Sequence, residues 1–358
     1  MRILLVEDEP DSVEDLKIDL ESKNYECRIC EFVEVEDQLA DFRPGIVVLD
    51  ILDTQDRPVG GDAYTYIWEH RFRPVVVYSA DPDRVATTDH PLVHKVRKGA
   101  GSEREAAASV DRLRRHAEVL GRVESEAESR VRDAMRRVVP KVVDISDDND
   151  LLTRVVRRHV AAGLDEERDA ELAPWEQYLY PAWGEDVLTG DVLRCNKEYS
   201  ESPADYRIVL TPSCDMVTAG NRIAKVTGVL VACCSESRAL IEALGKSVAT
   251  KQSKLKDAIR SALHTGFCNA TVPIPGLKGV LPEMSANMRS LEVIPLANIG
   301  DDRPFVRVAS VDSPFRELLT WAFLQTVGRP GLPDRDVAVW TDAVIEKAQR
   351  EAAGDEST

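Results

Sequence analysis

The sequence lacks any apolar segment that approaches the roughly 20 residues a membrane-spanning helix needs. Its first apolar run, Ile3–Val6, is only a few residues long and is followed at once by acids, which is unlike a secretory signal peptide. The seven cysteines are irregularly spaced and do not form the pattern typical of a secreted disulfide framework. These absences favour a reducing compartment, and we predict a cytoplasmic protein without membrane contact.

Positive charge is in deficit as well. Lysine and arginine together number 46 against 63 aspartates and glutamates, so the formal net charge is −17. This balance disfavours a large, sequence-independent phosphate-binding surface, and nucleic acid is not the expected partner, although a local basic patch could still exist. Because 358 residues exceed one typical hydrophobic core, we expect two domains and a connector.

Short apolar runs alternate with helix-like spacings through the first hundred residues. The predicted strands are Ile3–Val6, Tyr25–Phe32, Ile46–Asp50, Val75–Ala80 and Leu92–Val96. The predicted helices between them are Asp11–Leu20, Val35–Phe42 and Asp62–His70. Alternating elements of this size predict an α/β domain with a doubly wound, five-stranded parallel sheet.

Polar side chains follow the ends of these strands: Glu7 and Asp8, then Asp50, Ser79 and Lys98. The carboxyl ends of parallel strands meet at the edge of the sheet where ligands bind. Neighbouring carboxylates repel unless a cation lies among them, and hard oxygen ligands favour Mg²⁺. Asp50 could then attack a phosphoryl group, while Ser79 and Lys98 neutralise the product oxygens. The set predicts an aspartyl-phosphate switch.

The segments that carry these groups are Ile3-Leu-Leu-Val-Glu-Asp-Glu-Pro10, Ile46-Val-Val-Leu-Asp50, Tyr78-Ser-Ala80 and Lys98. In this order they resemble the receiver domain of two-component response regulators, over residues 1–117. The resemblance implies a flavodoxin-like fold, Mg²⁺ held by Glu7, Asp8 and Asp50, and phosphorylation of Asp50. It also implies that Ser79 moves toward the phosphoryl group, that Lys98 pairs with it, and that a sensor histidine kinase or a small phosphodonor supplies it.

Simpler roles compete with these assignments. Glu7 or Asp8 could cap the first helix, and Lys95 could reach inward in place of Lys98. The chain also departs from the receiver pattern, with a longer acidic loop after Asp50 and too few residues between strands four and five for a full fourth helix. Lys95 stands where the family often has a switching aromatic residue, and Gly99 where it commonly has proline. A pseudo-receiver used for docking or dimerisation is therefore an alternative.

A connector follows, predicted as a helical linker over residues 118–172. From Ser102 to Val139 the sequence is rich in alanine, arginine and glutamate, with apolar residues spaced mostly three and four apart. One interpretation is a last receiver helix followed by a separate amphipathic helix. The other is one long helix that pairs with its copy in a homodimer. A further amphipathic helix is predicted over Leu151–Leu164.

Residues 173–358 are predicted to form an α+β output domain, with a small β-barrel as one arrangement of its strands. The predicted strands are 186–195, 206–211, 223–233, 291–296 and 306–311. The predicted helices are 239–244, 255–263, 314–327 and 334–352. The segments Gly190–Leu193 and Tyr206–Asp215 are similar to two strands of the SH3-like barrel of toxin ribonucleases.

Cysteines offer two further candidate sites. Cys27 and Cys30 form a CxxC pair, but both lie in the second predicted strand, where their side chains would point to opposite faces. In the output domain, Ser213, Cys214 and Asp215 follow a predicted strand and form a candidate output site. A nucleophilic Cys214 would need a base such as His264. A zinc site there could draw on Cys214, Cys233 or Cys234, His264 and Cys268.

The leading hypothesis is a response-regulator-like protein in which phosphorylation of Asp50 controls an output domain that binds a protein or a ligand. The alternative from another class is a receiver-gated nuclease or hydrolase that uses Cys214 and Asp215. A DNA-binding regulator is disfavoured, since no basic recognition helix is evident.

Overall fold

A computed structural model of the protein describes residues 1–145, 148–165, 171–195, 198–218, 222–328 and 336–355. The chain divides into two compact units, Met1–Asp169 and Ala170–Thr358. The helices of the predicted linker belong to the first unit. Within the described residues, no helix is both long enough and apolar enough to span a membrane.

A five-stranded parallel sheet forms the centre of the first unit. Its strands are β1 (Arg2–Val6), β2 (Glu26–Cys30), β3 (Ile46–Leu49), β4 (Val75–Ser79) and β5 (Val93–Arg97). They are ordered β2-β1-β3-β4-β5, and each neighbouring pair is parallel. This order is that of flavodoxin-like folds and confirms the predicted doubly wound sheet.

Helices cover both faces of this sheet. They are α1 (Glu14–Ser22), α2 (Val35–Asp41), α3 (Gly60–Tyr66) and α4 (Ser102–Val143), with a π-helical turn, Ile67–Arg71, continuing α3. One apolar core lies under α1 and the start of α4, and a second lies under α2 and α3. Cys27 packs against the first core and Cys30 against the second, so the two thiols do lie on opposite faces of the sheet.

No helix lies between β4 and β5, where residues 80–92 are all described. This confirms the expectation of a missing fourth helix. The segment instead contacts the aromatic side chains of α3: the Thr88 amide donates to the Tyr64 hydroxyl at 2.9 Å, and His90 packs edge-on against Trp68 with centroids 5.2 Å apart. Lys95 forms an ion pair with Asp83 at 2.8 Å rather than pointing inward.

The helix α4 is one continuous element of 42 residues. The predicted boundary at residue 117 therefore falls inside it. The helix is continuous, as the second interpretation requires, whereas its pairing with a copy in a homodimer stays a prediction. The helix also continues through Pro140 to Val143, beyond the predicted end at Val139. Its first half buries Ala106, Val110 and Leu113 on the sheet, and its last part packs against α5 (Asn149–Asp165) as a helical hairpin.

Two ion pairs fasten the middle of α4 to the edge of the sheet opposite Asp50. Arg73 contacts Glu124 at 2.6 Å, and the Arg73 side chain also donates to the Pro44 carbonyl at 2.9 Å. Arg43 contacts Glu128 at 3.1 Å. The helix is thus held against the first unit for at least two turns beyond residue 117.

The second unit contains a seven-stranded sheet. Its strands are β6 (Tyr178–Leu179), β7 (Asp191–Arg194), β8 (Tyr206–Val209), β9 (Gly228–Glu236), β10 (Thr271–Ile274), β11 (Met284–Pro295) and β12 (Val306–Val311). They are antiparallel in the order β10-β11-β9-β8-β7-β12-β6. The Tyr178 hydroxyl donates to the Pro275 carbonyl at 2.7 Å, so the two edges approach each other without pairing. Among the described residues the sheet is an open half-barrel, which matches the predicted small β-barrel in part.

The α-helices of the described part of this unit are α6 (Ser213–Met216), α7 (Arg238–Ala243), α8 (Gln252–Thr265), α9 (Phe315–Val327) and α10 (Val337–Asp355). The α+β class is as predicted, but β6, β10, the first half of β11 and α6 were not. The strands β7 and β8, which carry the toxin-like segments, do pair with each other. They are inner strands of the larger sheet rather than part of a small closed barrel.

Candidate functional site

Asp50 lies immediately after β3, at the carboxyl edge of the parallel sheet. Its side chain is almost entirely buried, with the residue 6% exposed. Oδ1 accepts hydrogen bonds from the backbone amides of Ile51 at 2.5 Å and Leu52 at 3.0 Å. These two donors fix the carboxylate orientation and leave Oδ2 directed toward the neighbouring strand ends. The sequence prediction placed this residue correctly.

The Lys98 ammonium lies between two carboxylates. Its Nζ donates to Asp50 Oδ2 at 2.5 Å and to Glu7 Oε2 at 2.5 Å. A third bond, to Ser12 Oγ at 3.2 Å, completes its set of three donors. Lys98 was predicted to reach this edge, whereas the contribution of Ser12 was missed because a serine in the turn before α1 gives no distinguishing sequence signal.

Burial and charge shift the protonation equilibria of these groups. Loss of solvation raises the pKa of Glu7 above its usual 4.5, and the neighbouring Asp50 charge adds to this effect, while Lys98 opposes it. Loss of solvation alone would lower the pKa of Lys98, but its bonds to Asp50 and Glu7 outweigh that effect and hold its pKa above 10.5. Lys98 is therefore a permanent cation at neutral pH.

Ser79 ends β4 beside this cluster and is fully buried. Its hydroxyl has no hydrogen-bond partner, although the Ser79 carbonyl accepts from the Lys98 amide at 2.8 Å. A buried hydroxyl without a partner costs free energy, and such groups in native structures call for an explanation by function or by a ligand. Ser79 can donate to an anionic oxygen that arrives between it and Lys98.

The predicted metal ligands do not form a metal site in this arrangement. Asp8 is half-buried, and its Oδ2 accepts from the Thr54 amide at 2.8 Å. Glu7 and Asp50 share the Lys98 ammonium, which supplies the positive charge that Mg²⁺ was expected to bring. Across the described ranges, no group of three or more histidine, cysteine, aspartate or glutamate side chains is arranged to hold a metal ion. The carboxylate chemistry suits Mg²⁺, but these side-chain positions do not.

The long loop after Asp50 is ordered by its own residues. Asp53 accepts from the Arg57 amide and guanidinium at 2.9 and 2.7 Å, which closes the loop into a compact turn. This guanidinium lowers the pKa of Asp53. The loop ends at Gly60, whose amide donates to the Ile51 carbonyl at 3.0 Å. The acid at position 53 is thus paired within the loop and does not join the Asp50 cluster.

In the second unit, the residues of the candidate output site form turn contacts. Ser213 Oγ accepts from the Thr189 amide at 2.9 Å, and the Ser213 amide donates to Thr189 Oγ1 at 2.8 Å. Asp215 pairs with Lys225 at 2.9 Å, which lowers the pKa of its carboxyl group. Cys214 is exposed, and its thiol lies 3.6 Å from Asp215 Oδ1. A catalytic role for this stretch stays a prediction.

The other cysteines give no sign of a metal centre. All seven are free thiols and all lie in described segments. Burial raises the pKa of Cys27 to about 11 and of Cys30 to about 12, which keeps both protonated. Among the described residues, no three histidine, cysteine, aspartate or glutamate side chains lie close enough together to hold a metal ion. The zinc site suggested for Cys214, Cys233, Cys234, His264 and Cys268 therefore has no support in the structure.

No protein-family model matches the chain. No curated protein matches it either. Among solved structures, it is similar to the anti-anti-sigma factor PhyR from Bartonella quintana, with 21% identity, 34% of this chain and 51% of that chain covered, and a TM-score of 0.29. It is also similar to the response regulator PhyR from Brucella abortus, with 24% identity, the same coverages and a TM-score of 0.28.

A third similar structure is the response regulator TrrA from Thermotoga maritima, solved with Mg²⁺-BeF. The identity is 23%, with 31% of this chain and 98% of that chain covered and a TM-score of 0.26. The chain spans about half the length of the PhyR proteins it matches. The receiver-like architecture of the first unit accordingly rests on its own strand order and strand-end residues.

Proposed function

We propose that the first unit is a receiver-like signalling module in which Asp50 accepts a phosphoryl group. The observation that carries this proposal is the juxtaposition of Asp50, the Lys98 ammonium and the unpartnered Ser79 hydroxyl at one edge of the sheet. A nucleophilic carboxylate, a neighbouring cation and a free hydrogen-bond donor are what an incoming phosphoryl group requires.

The transfer would proceed as a displacement at phosphorus. An Asp50 carboxylate oxygen forms the new P–O bond while the bond from phosphorus to the donor's leaving group breaks, and the leaving group departs with the electron pair. Lys98 and Ser79 would contact the oxygens of the transferred group. For Asp50 Oδ2 to react, the Lys98 ammonium must move from that oxygen toward the phosphoryl oxygens, while Ile51 and Leu52 keep their bonds to Oδ1.

Mg²⁺ enters the proposal as the expected cofactor, which would neutralise charge between the carboxylates and the phosphoryl group. Its binding requires rearrangement, because Lys98 lies between Glu7 and Asp50 and Asp8 is bonded to Thr54. Calorimetric titration with Mg²⁺ tests this requirement. We expect weak binding by the native chain and stronger binding after Lys98→Met, which removes the competing cation; equal affinities would contradict the expectation.

The remaining parts of the proposal concern partners and location. A sensor histidine kinase or a small phosphodonor would supply the phosphoryl group, and the second unit would bind a protein or a ligand in response. Homodimerisation through the helical region remains a prediction; Val119 and Val123 of α4 are exposed and available for such pairing. A cytoplasmic location remains a prediction from the sequence.

Phosphorylation can be tested directly on the full chain. Incubation with Mg²⁺ and an acyl phosphate should add one acid-labile phosphoryl group, measured by intact mass. Asp50→Asn should abolish this labelling, whereas Asp56→Asn, which removes an exposed acid from the same loop, should leave it unchanged. Continued labelling of Asp50→Asn would exclude Asp50 as the acceptor. Absence of labelling in the native chain, with and without a kinase, would favour the pseudo-receiver alternative.

A further inference from the structure

An apolar groove runs between α4 and α5 at the far end of the helical hairpin. Its volume is about 570 Å³, and it is lined by two ladders of side chains spaced four residues apart. The ladders are Val131, Met135 and Val139 on α4, and Leu152, Val156, Val160 and Leu164 on α5. These side chains form the apolar floor of the groove. Met135 and Leu164 are 49% and 44% exposed, so the floor is open to solvent.

The parts of the two helices that line the groove are basic, in contrast to the chain as a whole, and acids resume on either side of them at Glu128, Asp144, Asp150 and Asp165. Residues 129–143 and 151–164 contain a single acid, Asp133, while the chain carries a net charge of −17. The same stretches contain eight basic residues: Arg130, Arg132, Arg136, Arg137, Lys141, Arg154, Arg157 and Arg158. Such a local reversal of charge is the feature expected of a surface that selects an acidic partner.

Three of these arginines border the floor. Arg157 lines the groove itself. Arg132 and Arg136 follow the α4 ladder at the neighbouring helical positions, and both side chains are strongly exposed, at 67% and 77%. Within the described part of the chain, each pairs with a carboxylate on its own helix, Glu128 at 3.5 Å and Asp133 at 2.9 Å. Exposed pairs of this kind are weak and leave the guanidinium groups available to a partner.

We propose that this groove is the docking site for an amphipathic helix of a partner protein, whose apolar face is flanked by acidic residues. Ladders with a four-residue period present ridges and a groove suited to another helix. The α5 ladder from Leu152 to Leu164 spans roughly 18 Å, which corresponds to about three helical turns of the partner. The acidic flanks would pair with Arg132, Arg136 and Arg157.

The charges argue against two other occupants. A second copy of the hairpin placed over the groove would bring its arginine-rich flanks against these ones, which is repulsive in a two-fold interface. Nucleic acid would satisfy the arginines but leave the valine, leucine and methionine floor uncovered. The proposal does not depend on phosphorylation of Asp50, and failure of that reaction would leave it standing.

The experiment uses the full chain and a fluorescent synthetic helix of about 18 residues, with leucines at helical spacing flanked by glutamates. A matched peptide replaces each glutamate by lysine and keeps the leucines. We expect the acidic peptide to bind at least about tenfold more tightly than the basic one. Binding should weaken when the ionic strength rises from about 50 mM to about 300 mM, as screening of exposed charges requires.

Variants locate the binding surface. The triple variant Arg132→Glu, Arg136→Glu and Arg157→Glu should weaken binding of the acidic peptide by about tenfold or more. Its control changes Arg104, Arg115 and Arg260 to glutamate, since these exposed arginines alter the net charge equally but lie outside the groove. Met135→Ser, at a half-exposed floor position that a polar residue can occupy without unfolding, should weaken binding by about fivefold.

Several outcomes would overturn the proposal. They are equal affinity for the acidic and basic peptides, equal loss of affinity in the two triple variants, and no effect of Met135→Ser. Sedimentation that shows a dimer dissociated by Met135→Ser would instead make a second copy the occupant. Another outcome is that an RNA duplex binds more tightly than the acidic peptide and loses this binding in the Arg132, Arg136 and Arg157 triple variant but not in its control. That result would make the groove a nucleic-acid site.

Discussion

Gly60 lies against the backbone of Asp50 more closely than any other residue type would allow. A Cβ added to Gly60 would be 2.3 Å from the Asp50 carbonyl oxygen and 2.6 Å from the Ile51 Cα atom. Both are backbone atoms that cannot move aside without displacing the end of β3. The first residue of α3 thus helps to set the position of the candidate phosphoacceptor.

Gly60→Ala should therefore displace the Asp50 loop and destabilise the first unit by about 1–3 kcal/mol, the usual cost of overpacking. Hydrogen exchange of peptides covering residues 46–60 measures the effect locally, and we expect faster exchange. Gly99→Ala is the matched control, because a Cβ there meets no atom within 4 Å. Unchanged exchange in Gly60→Ala would show that the loop can relax around the extra methyl group.

The Lys98 ammonium offsets the electrostatic repulsion between the buried carboxylates of Glu7 and Asp50. In Lys98→Met, Glu7 and Asp50 would face each other without it, and removing one partner of a buried ion pair typically costs about 3–5 kcal/mol. Lys95→Met, which removes an exposed partner of Asp83, should cost only about 0–1 kcal/mol. Urea unfolding of the full chain compares the stabilities of the Lys98→Met and Lys95→Met variants. Hydrogen exchange shows whether the loss of stability lies in β1 and β3. Similar losses in both variants would contradict the assigned role of Lys98.

The raised pKa of Glu7 makes a prediction about pH. Because the folded-state pKa lies above the unfolded value of about 4.5, the stabilising contribution of Glu7 is complete below pH 4.5 and is lost as the pH rises through the folded-state pKa. Glu7→Gln removes this titration. The free energy of unfolding should consequently fall less with rising pH in Glu7→Gln than in the native chain. Unfolding curves collected from acid to neutral pH check this, and identical slopes would disprove it.

The sequence predicted the first unit well because its three inner strands, β1, β3 and β4, are buried on both faces. Such strands appear as continuous apolar runs, and the polar residues at their ends are conspicuous, as at Asp50 and Ser79. What it could not predict was which groups pair. The position of the Lys98 ammonium between Glu7 and Asp50 depends on side-chain conformations that strand ends do not determine.

The second unit was harder because its strands carry weaker patterns. The strand β10 includes Pro273, and the first half of β11 includes Ser285, Asn287 and Arg289, so neither is a simple apolar run. Pairing between these two strands overrides local preference. The continuity of α4 was one of two open interpretations, since no proline lies near residue 117 and the single glycine there, Gly121, can be accommodated in a helix.

Gly121 inside α4 and Gly101 directly before it should respond oppositely to replacement by alanine. Gly121 lies inside the helix with no atom within 4 Å of an added Cβ, so Gly121→Ala should stabilise the chain by about 0.5–1 kcal/mol through helix propensity. Gly101 precedes the helix with φ of +78°, where an L-residue is strained, and Gly101→Ala should destabilise by about 1–2 kcal/mol. Thermal unfolding of both variants distinguishes them, and equal shifts in Tm would refute the assignment.

Asp191 is a buried acid that connects several elements of the second unit. It is fully buried, accepts from Arg307 at 2.7 Å and from Ser310 Oγ at 2.6 Å, and also accepts from the Leu188 amide at 2.8 Å. Asp191→Ala would leave the Arg307 guanidinium without its partner and should destabilise this unit by about 3–5 kcal/mol.

The surface acid Asp257, 75% exposed and 3.8 Å from Arg260, is the matched control, for which Asp257→Ala should change stability by at most about 1 kcal/mol. Tryptophan fluorescence reports on the right region, because the Trp183 carbonyl accepts from Arg307 at 2.7 Å and its amide donates to Ser310 Oγ at 3.1 Å. If Asp191→Ala unfolds at the same urea concentration as Asp257→Ala, the buried ion pair contributes little to the free energy of unfolding. Burial raises the pKa of Asp191 although Arg307 opposes this shift, and the cost of burying the carboxylate would then cancel the gain from the ion pair.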